Sequence, residues 1–437
     1  MKRIHIFLLL QFAAFCSCGQ SENKQVNSSS TPAETKAGDQ LPPPYATESA
    51  VKMSKVIGWD AGMKPTAPKG FTVTRFADSL EHPRWIYQLP NGDVLIAETQ
   101  KKENIAKKVV NTVSGKSKSH GESDMENRIL LFRDSDKNGT YETKTIFIDN
   151  LNMPFGMVLV NDYFYVACSD AVWRYRYKNN EKQISEEGEK IMDLPDAGRH
   201  WTRNIIANSA GTKLYVAVGC ASDHAENGME KEDRRACILE INPNGSGERV
   251  FASGLRNPVG MDWMPGTETL WTAVNERDEL GDDLPPDYIT SVKENGFYGW
   301  PYSYFGQNKD PRIKEKDQRN DLVQKAIVPD VAVGAHTASL GLAFYDKKLF
   351  PKKFQGGAFV GQHGSWNRSV LSGYKVVFVP FTNGKPGKPE DFLTGFIANE
   401  KEAEVFGRPV GVTVLNDGSM LVADDAANII WKITYAK

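Results

Sequence analysis

The strongest constraint on the fold of this chain is a pattern that recurs six times between residues 82 and 425. Each copy has a short, often proline-led turn, an apolar stretch, a loop and a second apolar stretch. The copies are HPRWIYQLPNGDVLIAET (82–99), MPFGMVLVNDYFYVACSD (153–170), HWTRNIIANSAGTKLYVAVG (200–219), NPVGMDWMPGTETLWTAVNE (257–276), ASLGLAFYDKKLF with GGAFVGQHG (338–364) and RPVGVTVLNDGSMLVADD (408–425). Each predicts two strands joined by a turn such as PNG or NDG. Six such units predict an all-β fold, a six-bladed β-propeller, rather than a two-sheet sandwich.

The first residues predict export of the chain. The basic start MKR precedes the apolar run IHIFLLLQFAAF, which is too short to span a membrane and is typical of a signal peptide. The run ends at FCSCG, which resembles a bacterial lipobox, so we expect residues 1–17 to be a lipoprotein signal peptide and Cys18 to be lipidated. Cys16 as the lipidated residue and secretion without an anchor are the alternatives. Residues 18–50 are polar and predict a disordered tether, followed by a propeller domain over 51–437.

Composition and missing motifs exclude several function classes. The 53 basic and 55 acidic residues nearly balance, which does not favour nucleic-acid binding. The sequence has no P-loop, Rossmann fingerprint, G-x-S-x-G elbow or H-E-x-x-H zinc motif. After the leader, three cysteines remain, of which Cys220 and Cys237 could pair in an oxidising compartment while Cys168 is buried in a strand.

Arginines occur where several repeats enter their first strand. In a propeller that strand lines the central channel, so the repeat predicts that these guanidiniums converge at one channel mouth. Arginine pairs bidentately with carboxylates, and a polyanionic ligand is therefore expected there, with separate salt bridges to neighbouring loops as the alternative. The four residues are Arg84, Arg203, Arg256 and Arg408.

An acidic loop, NERDELGDDLPPDY (275–288), follows the fourth repeat. Clustered carboxylates suit Ca²⁺, and a solvated acidic loop is the alternative. The expected metal ligands are Asp278, Glu279, Asp282 and Asp283. A second acidic stretch, DSDKNGTYE (134–142), begins like a calcium loop but has Thr145 at the position of the bidentate glutamate. It predicts first a hairpin turn and second an accessory calcium site.

The loop GQHGSWNRS (361–369) after the fifth repeat offers groups that could hold a planar ligand. Trp and His can stack on a ring while Asn and Arg hold its substituents. The expected cofactor contacts on this loop are His363, Trp366, Asn367 and Arg368. His336 enters the same repeat, and a buried, hydrogen-bonded histidine is the alternative for each histidine.

Several long motifs together resemble a known family. GLRNPVGMDW, NERDELGDDLPPDY, NGFYGWPY, HTASLGLAFY and GQHGSWNRSVLSGYKVVFVPF are similar to the PQQ-dependent sugar dehydrogenases, and specifically to the sorbosone- and pyranose-dehydrogenase-like branch. The resemblance covers about residues 65–435. It implies a six-bladed propeller that binds PQQ, a tricarboxylic ortho-quinone, and Ca²⁺, and that oxidises a sugar or sugar aldehyde.

The resemblance also implies roles for individual residues. His200 occupies the position of the family's catalytic base, and Arg256 with Asn257 matches the R-N-P motif that contacts PQQ. The Gly-Pro pair that supplies calcium-binding carbonyls in the glucose dehydrogenases is replaced here by Asp278 and Glu279. Arg408 matches the first arginine of an R-x-R motif whose second position is Val410.

Two other functions stay open on sequence alone: a calcium-dependent lactonase-type hydrolase, and a non-catalytic propeller that binds glycan or protein. The expected partners are a small sugar or sugar aldehyde and a separate electron acceptor, a cytochrome or a quinone, because no C-x-x-C-H haem motif is present. We expect a monomer facing the periplasm or the cell surface, in contact with the membrane only through the lipid.

Overall fold

The six repeats form six sheets in a computed structural model that describes residues 41–100, 127–196 and 198–436. The two apolar stretches of every repeat pair as antiparallel strands. The strands of sheets 1 to 3 are Pro83–Gln88, Val94–Glu98, Arg128–Arg133 and Thr143–Ile148; Gly156–Val160, Tyr163–Ala167, Ala171–Arg176 and Glu189–Asp193; and Arg203–Ala207, Leu214–Val218, Cys237–Ile241, Arg249–Ser253 and Gly296–Phe297. Those of sheets 4 to 6 are Pro258–Trp263, Leu270–Val274, Pro286–Ser291 and Val331–Ala335; Ala343–Phe344, Ala358–Gln362, Lys375–Val379 and Glu390–Leu393; and Pro409–Val414, Met420–Asp424, Ile429–Tyr435 and Phe71–Ala77. The all-β prediction is confirmed, and the number of large sheets in the described ranges equals the number of blades expected.

The remaining elements are short. Lys55–Val56, Ile397–Asn399 and Glu404–Val405 form a small sheet, and two small hairpins pair Ser303–Tyr304 with Asn308–Lys309 and Phe381–Thr382 with Lys385–Pro386. One α-helical turn spans Asn320–Val323, and 3₁₀ turns span Met229–Lys231, Glu315–Asp317 and Lys352–Phe354. None of the helices in the described ranges is both long and apolar enough to span a membrane.

Glycines let the first strands of neighbouring sheets approach each other. A Cβ on Gly156 would lie 2.4 Å from the backbone N of Ile205, and one on Gly341 would lie 2.2 Å from the carbonyl O of Val410. The backbones therefore come so close that no side chain fits between them. This places the first strand of each sheet on the inside of the ring, as the repeat predicts.

The apolar core is divided among the junctions between sheets. Phe147 and Phe164 meet edge to face between sheets 1 and 2, and Trp271 meets Phe344 between sheets 4 and 5. The ring closes in sheet 6, where Phe71–Ala77 pairs antiparallel with Ile429–Tyr435. The second strands of the sheets are rich in aliphatic residues because both of their faces are buried.

The N-terminal boundary differs from the prediction. Residues 41–50, expected to belong to the disordered tether, contact the loops of the propeller through hydrogen bonds such as Tyr45 N to Leu280 O at 2.8 Å. The predicted signal peptide, the lipidated Cys18 and residues 19–40 of the tether lie outside the described residues.

Candidate active site

The chemistry-bearing loops collect at one end of the sheets. Each first strand begins, and each second strand ends, at this end because the two are antiparallel. His200 and Arg256 therefore enter from the starts of sheets 3 and 4, while Asp223 follows the end of a second strand. The predicted proximity of these loops is a consequence of the hairpin topology.

His200 is held in one tautomer. Its Nδ1 lies 3.0 Å from the carbonyl O of Cys220. A carbonyl oxygen only accepts, so Nδ1 carries the hydrogen and the neutral ring has its lone pair on Nε2. Burial first, and then the charge of Arg256, lower the pKa of His200 well below its usual value. The ring is therefore a neutral base at physiological pH.

Asp223 is the centre of the charge network beside His200. It is 4% exposed, and its carboxylate lies 2.5 Å from Nη2 of Arg256 and 3.1 Å from Nη1 of Arg312. Burial alone would raise the pKa of Asp223, but the two guanidiniums lower it, so the carboxylate stays ionised. Asp223 and Arg312 were not predicted from the sequence; for Asp223, the available signal was the acid-containing stretch CASDHAENG, which directly follows the third repeat.

The predicted calcium ligands do not converge. Ca²⁺ needs six to eight oxygens around one point, but each of these acidic residues has a different partner. Asp278 Oδ1 lies 3.3 Å from Nδ1 of His336, the backbone N of Glu279 donates to Asn367, Asp282 accepts from Ser369, and Asp283 lies 2.6 Å from Arg368. In the described ranges these four residues do not bring three carboxylate ligand atoms within 4.8 Å of one another, so the arrangement of their side chains gives the expected calcium site no support.

His336 is the cationic partner of Asp278 in the acidic loop. Its Nε2 lies 2.8 Å from the carbonyl O of Gly281, and its Nδ1 faces the carboxylate of Asp278. Burial alone would lower the pKa of His336, but the hydrogen bond and charge of Asp278 raise it. Both ring nitrogens of His336 thus face a hydrogen-bond acceptor. The protonated imidazolium satisfies both acceptors, because it donates a hydrogen from each nitrogen.

The second acidic stretch forms the predicted turn. It joins the strands Arg128–Arg133 and Thr143–Ile148, and the backbone N–H groups of Asn138 and Gly139 donate to Asp134. Ligand atoms of Asp134, Asp136 and Glu142 lie within 4.8 Å of one another, the single such group of three in the described ranges. All three are at the surface, away from His200.

A second charge cluster surrounds Asp425. His363 Nε2 lies 2.8 Å from this carboxylate, and Nη1 of Arg84 lies 2.7 Å from it. Burial alone would raise the pKa of Asp425, but His363 and Arg84 lower it. Burial, followed by the charge of Arg408, lowers the pKa of His363 to about 4. The structure thus brings together the predicted residues Arg84, His363 and Arg408, and adds Asp425.

The four arginines do not all converge at one point, because only Arg84 and Arg408 lie together. Arg203 is fully buried and donates to the carbonyls of His200, Thr202 and Pro195, so it braces its own loop and does not face the mouth. Burial lowers its pKa to about 10. Arg256 and Arg84 pair with different carboxylates, as the alternative of separate salt bridges foresaw.

In each of the two charge clusters an arginine lies over a tryptophan ring. Arg84 lies over the ring of Trp201, 5.1 Å from its centroid, and Arg199 lies over Trp366 at 5.8 Å. Arg199 is not among the site residues predicted from the sequence. Its side chain is 41% exposed, yet it stands 3.9 Å from Asp223 and 3.7 Å from Asp278, beside the proposed base.

Asn257 lies next to His200, whereas Asn367 and Arg368 do not. A Cβ on Gly219 would touch both Asn257 Oδ1 and His200 Cβ, so these two groups enclose that glycine. Asn257 Oδ1 is buried and has no hydrogen-bond partner among the described residues. Asn367 and Arg368 instead link the 361–369 loop to the acidic loop, so their prediction as cofactor contacts is not supported by the geometry.

The possible disulfide is absent. Cys168, Cys220 and Cys237 are all free and buried. Cys220 lies beside His200 and donates its thiol hydrogen to the carbonyl O of Ser222 at 2.8 Å. Burial raises its pKa above the usual range, so it stays a thiol.

Comparisons with known proteins agree with this arrangement. Residues 163–365 match the glucose/sorbosone dehydrogenase family model, and residues 300–436 match a TrAA12-like model. An uncharacterized protein of Borreliella burgdorferi is 32% identical over 302 residues, which cover 66% of this chain and 77% of that protein. The aldose sugar dehydrogenase YliI of Escherichia coli is 29% identical over 200 residues, 41% of this chain and 52% of the enzyme, so the match spans about half of that relative.

Solved structures share the fold. The PQQ domain of pyranose dehydrogenase from Coprinopsis cinerea superposes with a TM-score of 0.68 at 18% identity, covering 88% of this chain and all of that domain. The PQQ-bound aldose sugar dehydrogenase of Streptomyces coelicolor gives 0.55 at 16% identity, covering 85% of this chain and 100% of that one. The chain is a β-propeller that belongs to the glucose/sorbosone dehydrogenase family.

Proposed function

We propose that this protein is a PQQ-dependent dehydrogenase that oxidises a sugar or sugar-derived aldehyde, with His200 as the general base. The observation that carries the proposal is the state of His200. Its Nδ1 is committed to the Cys220 carbonyl, and burial with Arg256 keeps the ring neutral. Nε2 can therefore take the proton of a substrate hydroxyl.

The groups beside His200 suit a planar polyanion. Arg199 is partly exposed, and its ion pairs are long, at 3.7 and 3.9 Å, so its guanidinium has donors to spare. Asn257 offers a buried acceptor without a partner, and Trp366 offers an aromatic face. These three residues, with Trp201, would hold PQQ. When bound, PQQ would accept the hydride of the oxidised C–H bond.

Calcium has no assigned part in this proposal. The carboxylates of Asp278, Asp282 and Asp283 are paired within the protein, so we give this loop no side-chain ligand role. The signal-like leader supports placing the reaction outside the cytoplasm, and the sequence carries no C-x-x-C-H haem motif. Electrons would then leave to a separate acceptor.

The test is reconstitution of the purified protein with PQQ, followed by dye reduction with a panel of aldoses, pyranoses and sugar aldehydes. We expect wild-type protein to bind PQQ and reduce dye with at least one sugar. His200→Gln should bind PQQ normally and lose about 10²- to 10⁴-fold in turnover, the usual contribution of a general base. His224→Gln is the control variant: it perturbs the charge network around Asp223, because Nδ1 of His224 lies 3.6 Å from the Asp223 carboxylate, but it leaves His200 in place. This control variant should retain turnover. A wild-type protein that neither binds PQQ nor reduces dye would refute the proposal.

A further inference from the structure

The segment 41–52, which we call the strap, crosses the loops that frame the site. It first meets the acidic loop. The backbone N of Tyr45 donates to the carbonyl O of Leu280 at 2.8 Å, and the backbone N of Asp282 donates to Thr47 Oγ1 at 2.7 Å. Gly281 has φ +108°, and a Cβ there would lie 3.1 Å from Thr47 O. Strap and acidic loop are thus packed backbone to backbone.

The strap then meets the 361–369 loop. Asn367 Nδ2 donates to the carbonyl O of Ala50 at 3.1 Å, and the backbone N of Lys52 donates to the carbonyl O of Trp366 at 2.8 Å. Lys52 Nζ also pairs with Glu400 at 2.9 Å. One segment of the strap therefore fixes Trp366, the residue over which Arg199 stands.

The two loops are also bonded to each other through the residues that the strap contacts. Asn367 accepts from the backbone N of Glu279 at 2.8 Å, and Asp282 accepts from the backbone N of Ser369 at 3.0 Å. Asn367 and Asp282 each join all three segments. Removing the strap's bond at either residue would loosen the contact between the loops as well.

We propose that the strap is a positioning element of the site and that Thr47 is its central positioning residue. It sets the distance between the acidic loop, which carries Asp278, and the loop that carries Trp366. As far as the described residues show, the strap has no bond to His200, so it should govern binding of cofactor and sugar and leave the chemical step alone. This role rests on the function proposed above, but its first test does not.

The first measurement is hydrogen exchange by mass spectrometry on the full-length protein without added PQQ. In Thr47→Val the amide of Asp282, a residue only 9% exposed, loses its acceptor. We expect about 2- to 10-fold faster exchange in peptides covering 276–284 and 363–372, as for one lost hydrogen bond. Thr47→Ser keeps the hydroxyl and should restore wild-type exchange. Ser49→Ala, an exposed site in the same segment, is the matched control and should change nothing.

The second measurement is PQQ titration and sugar kinetics on the same variants. Thr47→Val should raise the Kd for PQQ and the KM for sugar by about the same 2- to 10-fold, with kcat unchanged. Unchanged loop exchange, or equal acceleration in all sheets, would overturn the proposal, because the strap would then be inert or a support of the whole fold. Selective loop exchange in a protein whose wild type binds no PQQ would refute the proposed function and uphold the positioning.

Discussion

Gly219→Ala tests whether the position of His200 matters for turnover. Gly219 follows the strand Leu214–Val218 and is enclosed by His200 and Asn257. An added Cβ would stand 2.7 Å from His200 Cβ, whereas an ordinary contact begins at 3.4 Å, so His200 must retreat by about 0.7 Å. Asn257 Oδ1, at 2.2 Å, must also turn away.

The displacement acts on the bond that fixes the tautomer. Nδ1 of His200 lies 3.0 Å from the Cys220 carbonyl, and a further 0.7 Å takes that pair beyond hydrogen-bond distance. A misplacement of about 1 Å can cost about 10²-fold in rate, so we expect kcat to fall by about 10- to 10²-fold. Overpacking should also cost about 1–3 kcal/mol of stability.

Gly357→Ala is the matched control. Its Cβ would lie 2.4 Å from the ring of Phe378, an equally severe clash at the opposite end of a strand in sheet 5. It should lower the free energy of unfolding by a similar amount and leave kcat of the folded enzyme unchanged. The assay is PQQ-reconstituted dye reduction, with urea unfolding for stability. Wild-type kcat in Gly219→Ala would refute the reasoning.

Four further outcomes follow from the site. Because the pKa of His200 is lowered, its base form persists as pH falls through about 6.5, and the acid limb of kcat/KM should lie well below that value; a limb at 6.5 in the pH–rate profile would contradict this. Asp223→Asn removes the nearest carboxylate from buried Arg256 and should cost about 3–5 kcal/mol in urea unfolding, and a loss below about 1 kcal/mol would disprove the pairing. Treatment with EDTA should leave hydrogen exchange of the acidic loop unchanged, because that loop holds no side-chain calcium site. Peptide mapping without reductant should find no cross-link between Cys220 and Cys237.

The strand pairs could be predicted because the sequence signals for each hairpin lie close together in the chain. Apolar alternation and turn residues lie within about twenty positions of each other, and the inner-strand glycines mark where neighbouring backbones approach. The repeat placed Arg256 at the entry to a first strand, whereas His200 and Asn257 were identified through the resemblance to the sugar dehydrogenases.

The directions of the arginines could not be predicted in the same way. Relative to the first strands, which begin at Pro83, Arg203, Pro258 and Pro409, the four arginines occupy four different positions. A one-residue offset in or beside a strand turns a side chain to the other face. The repeat places the four arginines at similar points in the sequence, but their side chains point in different directions. Arg203 therefore contacts its own loop, and Arg256 contacts Asp223.

The charge network was missed because its partners are distant in sequence. Asp223 and Arg312 are 89 residues apart, and Asp425 and His363 are 62 apart. The number of carboxylates in the acidic loop suggested that a metal cation binds there. Only the three-dimensional arrangement shows that His336 already pairs with Asp278, and Arg368 with Asp283.

Closure of the ring has a consequence for the synthesis of this protein. Phe71–Ala77 is the edge strand of sheet 6, and its partner Ile429–Tyr435 is translated only after the strands of the other five sheets. We call this closing strand pair the seam of the ring, and about 350 residues separate its two strands in the sequence. Five sheets can assemble while the chain is still emerging, but the seam stays open until Tyr435 leaves the ribosome. A chain stopped by a premature codon anywhere before residue 429 lacks the partner of that edge, and exposes it to quality-control proteases and to other chains.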